Sequence, residues 1–291
     1  MKSAPFDYHR PGTVAEATEM MASLGDEAKV LAGGQSLVPM LALRLAVFEH
    51  LIDIGRLDEL RGIEARDGGV WIGAGTTEAA VEHDPTVAAA APLLARATPL
   101  IGHLQIRNRG TVGGSIAHAD PAAEYPAVAL ALDAEVEAVS PRGRRTIPAA
   151  DLFAGLWSTT LEPDELLVGV RFPTWSGRCG FSVQEFARRH GDFAVAGAAV
   201  GVELDADDRV GRCAIAMFGM GSTPLRGRAA EAEITGRPVA EVVADEVGAL
   251  AVADLADIPA DQHAPASYRS RVGAAMVARA WTQACSEASD G

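Results

Sequence analysis

The sequence predicts an α+β protein whose N-terminal part is α/β, organised as three subdomains over residues 1–55, 56–177 and 178–291. Three observations predict it. The chain has 291 residues, more than a single hydrophobic core usually serves, so several packed subdomains are expected. Its first half alternates short apolar runs with helical periodicity, whereas residues beyond 178 read as successive strands followed by helices. The pattern breaks near Gly55 and again in the connector Thr174-Trp175-Ser176-Gly177.

In the first subdomain, Thr13 and Glu16 have the spacing of a capping box, so a helix opens after Pro11-Gly12 with Ala17, Met20, Met21 and Leu24 as its apolar stripe. Ala28 to Ala32 reads as a strand, Leu37 to Leu45 as a buried helix, and Leu51 to Ile54 as a second strand. In the middle subdomain, Val70 to Ala74 is a strand, and Thr77 to His83 and Pro85 to Ala97 are alanine-rich helices. Ala122 to Leu132 is a further helix, Ala134 to Ser140 a strand returning through a Pro141–Arg144 turn, and Leu166 to Phe172 another strand. The third subdomain is predicted as a three-stranded antiparallel sheet, Phe181–Phe186, Phe193–Leu204 and Val210–Phe218. Helices over Pro224–Glu233, Val239–Val252 and Ser267–Ser286 pack on it.

Between these elements lie two glycine pairs of nearly one design, about eighty residues apart: Ala32-Gly33-Gly34-Gln35-Ser36 and Thr111-Val112-Gly113-Gly114-Ser115. A glycine pair ending in a hydroxyl residue can offer backbone N–H groups, unobstructed by Cβ, together with a side-chain donor. The first pair falls between a predicted strand and helix, where open N–H groups and the positive helix end point the same way. Two such loops converging on one diphosphate would hold it without lysine. The GxGxxG fingerprint of the Rossmann fold is missing.

Bulk properties exclude several classes. Twenty-five basic against 39 acidic residues give a formal charge of −14, the wrong sign for wrapping nucleic acid or coating an anionic membrane. No apolar run reaches the length of a membrane span, and Met1-Lys2-Ser3-Ala4-Pro5 does not read as a secretory leader, so a cytoplasmic protein is expected. The three cysteines, Cys179, Cys213 and Cys285, are too scattered for a disulfide framework, a zinc ribbon or a cluster, so no metal site is predicted in this chain.

No acid, base and nucleophile set stands out, so no catalytic residue is predicted and the chemistry is assigned to a bound cofactor. Ser115, Asp120 and Glu124 are candidates for sugar hydroxyls, although Asp120-Pro121 also suits a helix start. His118 has no second ligand at metal-like spacing and reads as a loop histidine. A flavin suits this division of labour, with Ile101, Leu166, Leu167 and Phe193 as wall residues or plain core.

Three stretches carry a family resemblance: Lys29 to Leu37 (KVLAGGQSL), Ile106 to Ser115 (IRNRGTVGGS) and Arg188 to Ala194 (RRHGDFA). Together they resemble the FAD-binding medium subunit of molybdenum hydroxylases, the group that includes carbon monoxide and xanthine dehydrogenases. The resemblance spans nearly the whole chain. It implies an FAD-binding fold of two subdomains plus the C-terminal sheet and helices. It implies that Ala32, Gly33, Gly34, Gln35, Ser36, Leu37, Thr111, Gly113, Gly114 and Ser115 hold the pyrophosphate and ribityl region. Ile101, Asp120 and Glu124 would lie toward the adenosine, and Leu161, Leu167 and Phe193 toward the isoalloxazine. It further implies a small subunit with [2Fe-2S] clusters, a large molybdopterin subunit, a dimer of heterotrimers, and FAD passing electrons to an external acceptor. Some relatives have lysine where this chain has Gln184-Glu185, and tyrosine where it has Phe193. The rival reading is a stand-alone FAD-dependent reductase of related fold, which would need a proton donor and substrate pocket of its own.

Overall fold

A computed structural model of the protein describes residues 2–262 and 264–291. Its N-terminal subdomain comprises β1 (Asp7–His9), α1 (Val14–Leu24), β2 (Ala28–Leu31), α2 (Leu37–Ala42) and β3 (His50–Asp53). The strands form a parallel sheet in the order β1-β3-β2. The predicted cap is present: Thr13 accepts the Glu16 N–H at 3.1 Å, while the Glu16 carboxylate accepts from Gly12 at 2.6 Å. Strand β1 escaped prediction because three residues of mixed polarity carry no period. The expectation of a buried helix over 37–45 is corrected. Helix α2 stops at Ala42 and buries only Leu41, whereas Val38, Leu43 and Leu45 are exposed, because so short a helix at the edge strand meets the sheet along one line.

The middle subdomain holds β4 (Ile63–Arg66), β5 (Gly69–Gly73), α3 (Glu78–His83), α4 (Pro85–Ala90), α5 (Pro92–Ala97), α6 (Leu104–Arg107), α7 (Val112–His118) and α8 (Glu124–Ala131). It continues through β6 (Glu135–Ser140), β7 (Gly143–Pro148), α9 (Ala149–Leu152), the hairpin β8 (Phe153–Gly155) and β9 (Ser158–Thr159), and β10 (Leu166–Pro173). The five-stranded sheet β4-β5-β10-β6-β7 is antiparallel throughout, so this subdomain is α+β where α/β was expected. The single helix expected over 85–97 divides at Pro92. Proline disfavours α geometry in the residue before it, and Ala91 has φ −137° and ψ 66°. Successive residues of β10 serve different cores: Leu167 and Val170 face the middle subdomain, while Leu166 and Val168 face Ala17, Met21 and Ile52 of the first.

The C-terminal subdomain contains β11 (Arg178–Phe186), β12 (Ala196–Leu204), β13 (Val210–Phe218), β14 (Leu225–Arg226), α10 (Arg228–Ile234), α11 (Ala244–Ala253) and α12 (Ala266–Asp290). Its antiparallel sheet has four strands rather than three, since residues 225–226, expected inside a helix, pair with β13 instead. Both faces are covered. Ala198, Val200, Val202, Ile215 and Met217 pack with Trp281 and Ala284 of α12, while Ala199, Ala214, Ala216 and Phe218 share the middle subdomain's core. That double burial explains the nearly unbroken apolar run from Ala194 to Val202. Helix α8, wedged between the two sheets, is buried at all eight residues. Phe193, expected at the start of β12, lies in the loop before it.

Candidate functional site

The first glycine loop leaves the carboxyl end of β2 and enters α2. Gly34 has φ +76°, a left-handed conformation natural to glycine, and it turns the chain into the helix. The loop is held internally by Val38 N–H donating to the Gly34 carbonyl and by Gln35 Nε2 donating to the Gly33 carbonyl, both at 3.0 Å. Among the described residues, the N–H groups of Gly34, Gln35 and Ser36 donate to no protein acceptor, and the Ser36 hydroxyl caps nothing. Unclaimed donors at a helix start, beside the carboxyl ends of parallel strands, form an anion cradle.

The second loop is built differently, and the expectation that both loops offer N–H groups is corrected. Val112 donates to the Thr76 carbonyl at 3.0 Å, Gly113 to Ala74 at 2.9 Å and Ser115 to Thr111 at 2.9 Å. Gly114 donates to the Thr111 hydroxyl at 3.1 Å, which caps α7. What the loop still offers is the half-buried Ser115 hydroxyl, which has no partner among the described residues. Its glycines serve close packing. A Cβ on Gly113 would stand 2.4 Å from Ala74 Cβ, and one on Gly33 would stand 2.2 Å from the Arg109 carbonyl oxygen. The two loops therefore touch: Gly33 rests on the backbone leading into Thr111, and Gly114 faces Ala32.

Of the predicted acids, Asp120 is engaged at both oxygens, accepting from Ala122 N–H at 2.9 Å and from Trp157 Nε1 at 3.1 Å. Trp157 sits at φ +53°, unusual for a bulky side chain, and stacks on His118, whose pKa burial pushes down. Only the fold reveals this tryptophan's role, since 37 residues separate it from Asp120. Glu124 is buried close to Glu185 of β11; burial, and after it the Glu185 charge, raises the Glu124 carboxyl, and burial raises that of Glu185, so the pair retains a proton near neutrality. Glu78 is also buried, with Oε2 unpartnered, and burial pushes its carboxyl up to about 8.

The apolar candidates are split. Leu166 and Leu167 are core residues at 4% exposure, while Leu161 and Ile101 are half-buried against the same core as Leu167. Phe193 is 68% exposed and has no aromatic neighbour among the described residues. Its loop comes back to the Ile101 segment, for a Cβ on Gly191 would stand 2.9 Å from the His103 ring. A separate cavity of about 480 Å³ opens at the seam of the first two subdomains and takes Ala32, Gly33 and Thr111 from the predicted set. Its other walls include Tyr8, Arg10, Asp53 and Arg56 from strand ends and Asn108 and Arg109 from the turn after α6, segments that only the fold assembles.

Open N–H groups beside the Ser36 and Ser115 hydroxyls define a site for an anionic, phosphate-bearing cofactor. The comparisons sharpen this. A family model described as the FAD binding domain in molybdopterin dehydrogenase matches residues 4–175, and the CO dehydrogenase flavoprotein C-terminal domain matches residues 181–284. The carbon monoxide dehydrogenase medium chain of Hydrogenophaga pseudoflava is 40% identical over 94% of this chain and 95% of its own. The 6-hydroxypseudooxynicotine dehydrogenase complex subunit alpha of Paenarthrobacter nicotinovorans is 40% identical over 98% and 96%. The solved carbon monoxide dehydrogenase from Hydrogenophaga pseudoflava superposes with a TM-score of 0.95 over 99% of both chains. The chain belongs to the FAD-binding medium subunits of molybdenum hydroxylases, and is the flavoprotein component of an oxidoreductase.

Proposed function

We propose that this chain holds FAD with its diphosphate on the open N–H groups of Gly34, Gln35 and Ser36. Ser115 and Thr111 approach from the second loop, and Ala32, Gly33, Leu37, Gly113 and Gly114 shape the cradle. The observation that carries this reading is the row of unclaimed donors between β2 and α2. Ile101, Asp120 and Glu124 line the adenosine side, and Leu161, Leu167 and Phe193 the isoalloxazine side. Bound there, FAD supplies two-electron and one-electron redox chemistry. The residues of this chain bind it, orient it, and hold a proton on the Glu124–Glu185 pair beside it.

In the same reading, electrons arrive from [2Fe-2S] clusters of a small subunit, after substrate oxidation in a large molybdopterin subunit, and leave to an external acceptor. The assembly is a cytoplasmic dimer of heterotrimers. Among the described residues no helix is long and apolar enough to cross a membrane. The test is flavin content: the purified chain, reconstituted with FAD, should retain one equivalent and show flavin absorbance. A chain that stays colourless after reconstitution overturns the assignment, and substrate turnover by the isolated chain would favour a stand-alone reductase.

A further inference from the structure

The cavity at the seam of the first two subdomains has chemistry that flavin binding leaves unused. It lies at the carboxyl ends of all three parallel strands: Tyr8 and Arg10 belong to or follow β1, Ala32 and Gly33 follow β2, and Asp53 to Arg56 end and follow β3. Ligands in open parallel sheets occupy this crevice. The opposite wall is Gly75, Thr77, Asn108, Arg109 and Thr111. The cavity takes three of the predicted FAD residues and none of Ile101, Ser115, Asp120, Glu124, Leu161, Leu167 or Phe193.

Its charge is opposite to that of the molecule. In a chain of formal charge −14, four arginines, Arg10, Arg56, Arg61 and Arg109, face a single carboxylate, Asp53. That carboxylate is already committed: one oxygen accepts the Tyr8 hydroxyl and the other the Gly55 N–H at 2.8 Å. Arg61 is engaged with the Gly55 carbonyl at 2.6 Å and with Asp58 at 3.4 Å. The side chains of Arg10, Arg56 and Arg109 have neither a hydrogen bond nor an ion pair among the described residues. Arg10 and Arg56 lie close enough to act electrostatically on the Tyr8 hydroxyl, so they converge on one end of the cavity. Three unpaired guanidinium groups around a concave space match phosphate oxygens in geometry and charge. The volume suits a nucleotide-sized molecule.

We propose that this cleft is a second anion site, taking the phosphate groups of a nucleotide-sized phosphorylated small molecule while FAD occupies the neighbouring loop. The test titrates the FAD-loaded protein calorimetrically with inorganic pyrophosphate and with ADP at low salt. Saturable one-to-one binding that weakens as salt rises is expected. The double substitution Arg10→Gln, Arg56→Gln should weaken it at least about tenfold, the loss expected for one charge-assisted hydrogen bond. Flavin content, measured in the same samples, should stay at one equivalent, which separates this proposal from the flavin assignment itself. Absence of saturable binding, or equal affinity in the double variant, overturns the proposal. So does binding seen only after FAD is removed, which would make the cleft part of the flavin site. Loss of partner-subunit association in the variant without any pyrophosphate binding also overturns it, and would make the arginines a dock for an acidic protein segment.

Discussion

Gly33-Gly34 and Gly113-Gly114 stand in nearly identical sequence, yet the fold spends them in different ways. The first pair leaves three consecutive N–H groups open at a strand end, whereas the second has its N–H groups from Val112 to Ser115 bonded within the protein. A Cβ would be excluded at Gly33 and Gly113 by neighbouring protein atoms and not by ligand. The pair of loops is therefore one donor platform braced by one wedge, and sequence likeness between motifs does not imply equal work.

The harshest way to break this comparison is to substitute the two buried contacts. Gly33→Val and Gly113→Val each drive a Cβ into atoms 2.2 to 2.4 Å away, partly backbone, and should each lower stability by about 3 kcal/mol in urea denaturation even without FAD. Variants that melt normally while losing flavin would restore direct phosphate approach as the reason for both glycines.

A smaller effect isolates the wedge through pH. Glu78 donates its N–H to Gly110 at 2.9 Å, and its buried carboxyl titrates near 8, above the ordinary 4.5. The folded state holds a proton there that the unfolded state has released, so stability falls as pH rises from about 4.5 to about 8, and the whole penalty is present above that. Glu78→Gln should remove this penalty in the alkaline range and flatten the pH profile. An unchanged slope in denaturation series across that window would show that Glu78 is not the titrating group.

The platform is addressed by Gly34→Ala. A side chain at φ +76° costs about 1 to 2 kcal/mol, and the resulting tilt of the open N–H groups should weaken FAD binding roughly tenfold, read by fluorescence titration. Retained affinity would move the diphosphate off this loop. Smallest of all, Ser36→Ala and Ser115→Ala should each cost about 1 kcal/mol of FAD affinity, roughly fivefold, with unchanged melting. Equal losses would show that both loops reach the cofactor by hydroxyl despite their unequal backbones.

Much of the fold was legible wherever period and capping agree. The Thr13 cap, the strands at 28–31 and 166–173, and the long C-terminal helix follow from local residues. Local pattern failed where a partner element decides the outcome. Leu43 and Leu45 look like core and are exposed, because the edge of a three-stranded sheet gives them nothing to pack on. Leu225-Arg226 looks helical and is a strand, because β13 has an open edge beside it. Within the candidate site, the glycine loops were visible as residues, but the Trp157–Asp120 bond, the Glu124–Glu185 pair and the arginine cleft join segments far apart in the chain.

By itself, the sequence determined that this protein carries paired glycine loops of the FAD-binding medium subunits, lacks the cysteines for a cluster, and has an acidic surface. Those properties reside in residue identity and near-neighbour spacing. Which loop keeps its N–H groups free, which carboxyls are buried side by side, and which arginines stand unpaired among the described residues were decided by tertiary structure. The physical reason is that hydrogen-bond acceptors, low-dielectric surroundings and counter-charges come from segments that meet only when the chain has folded.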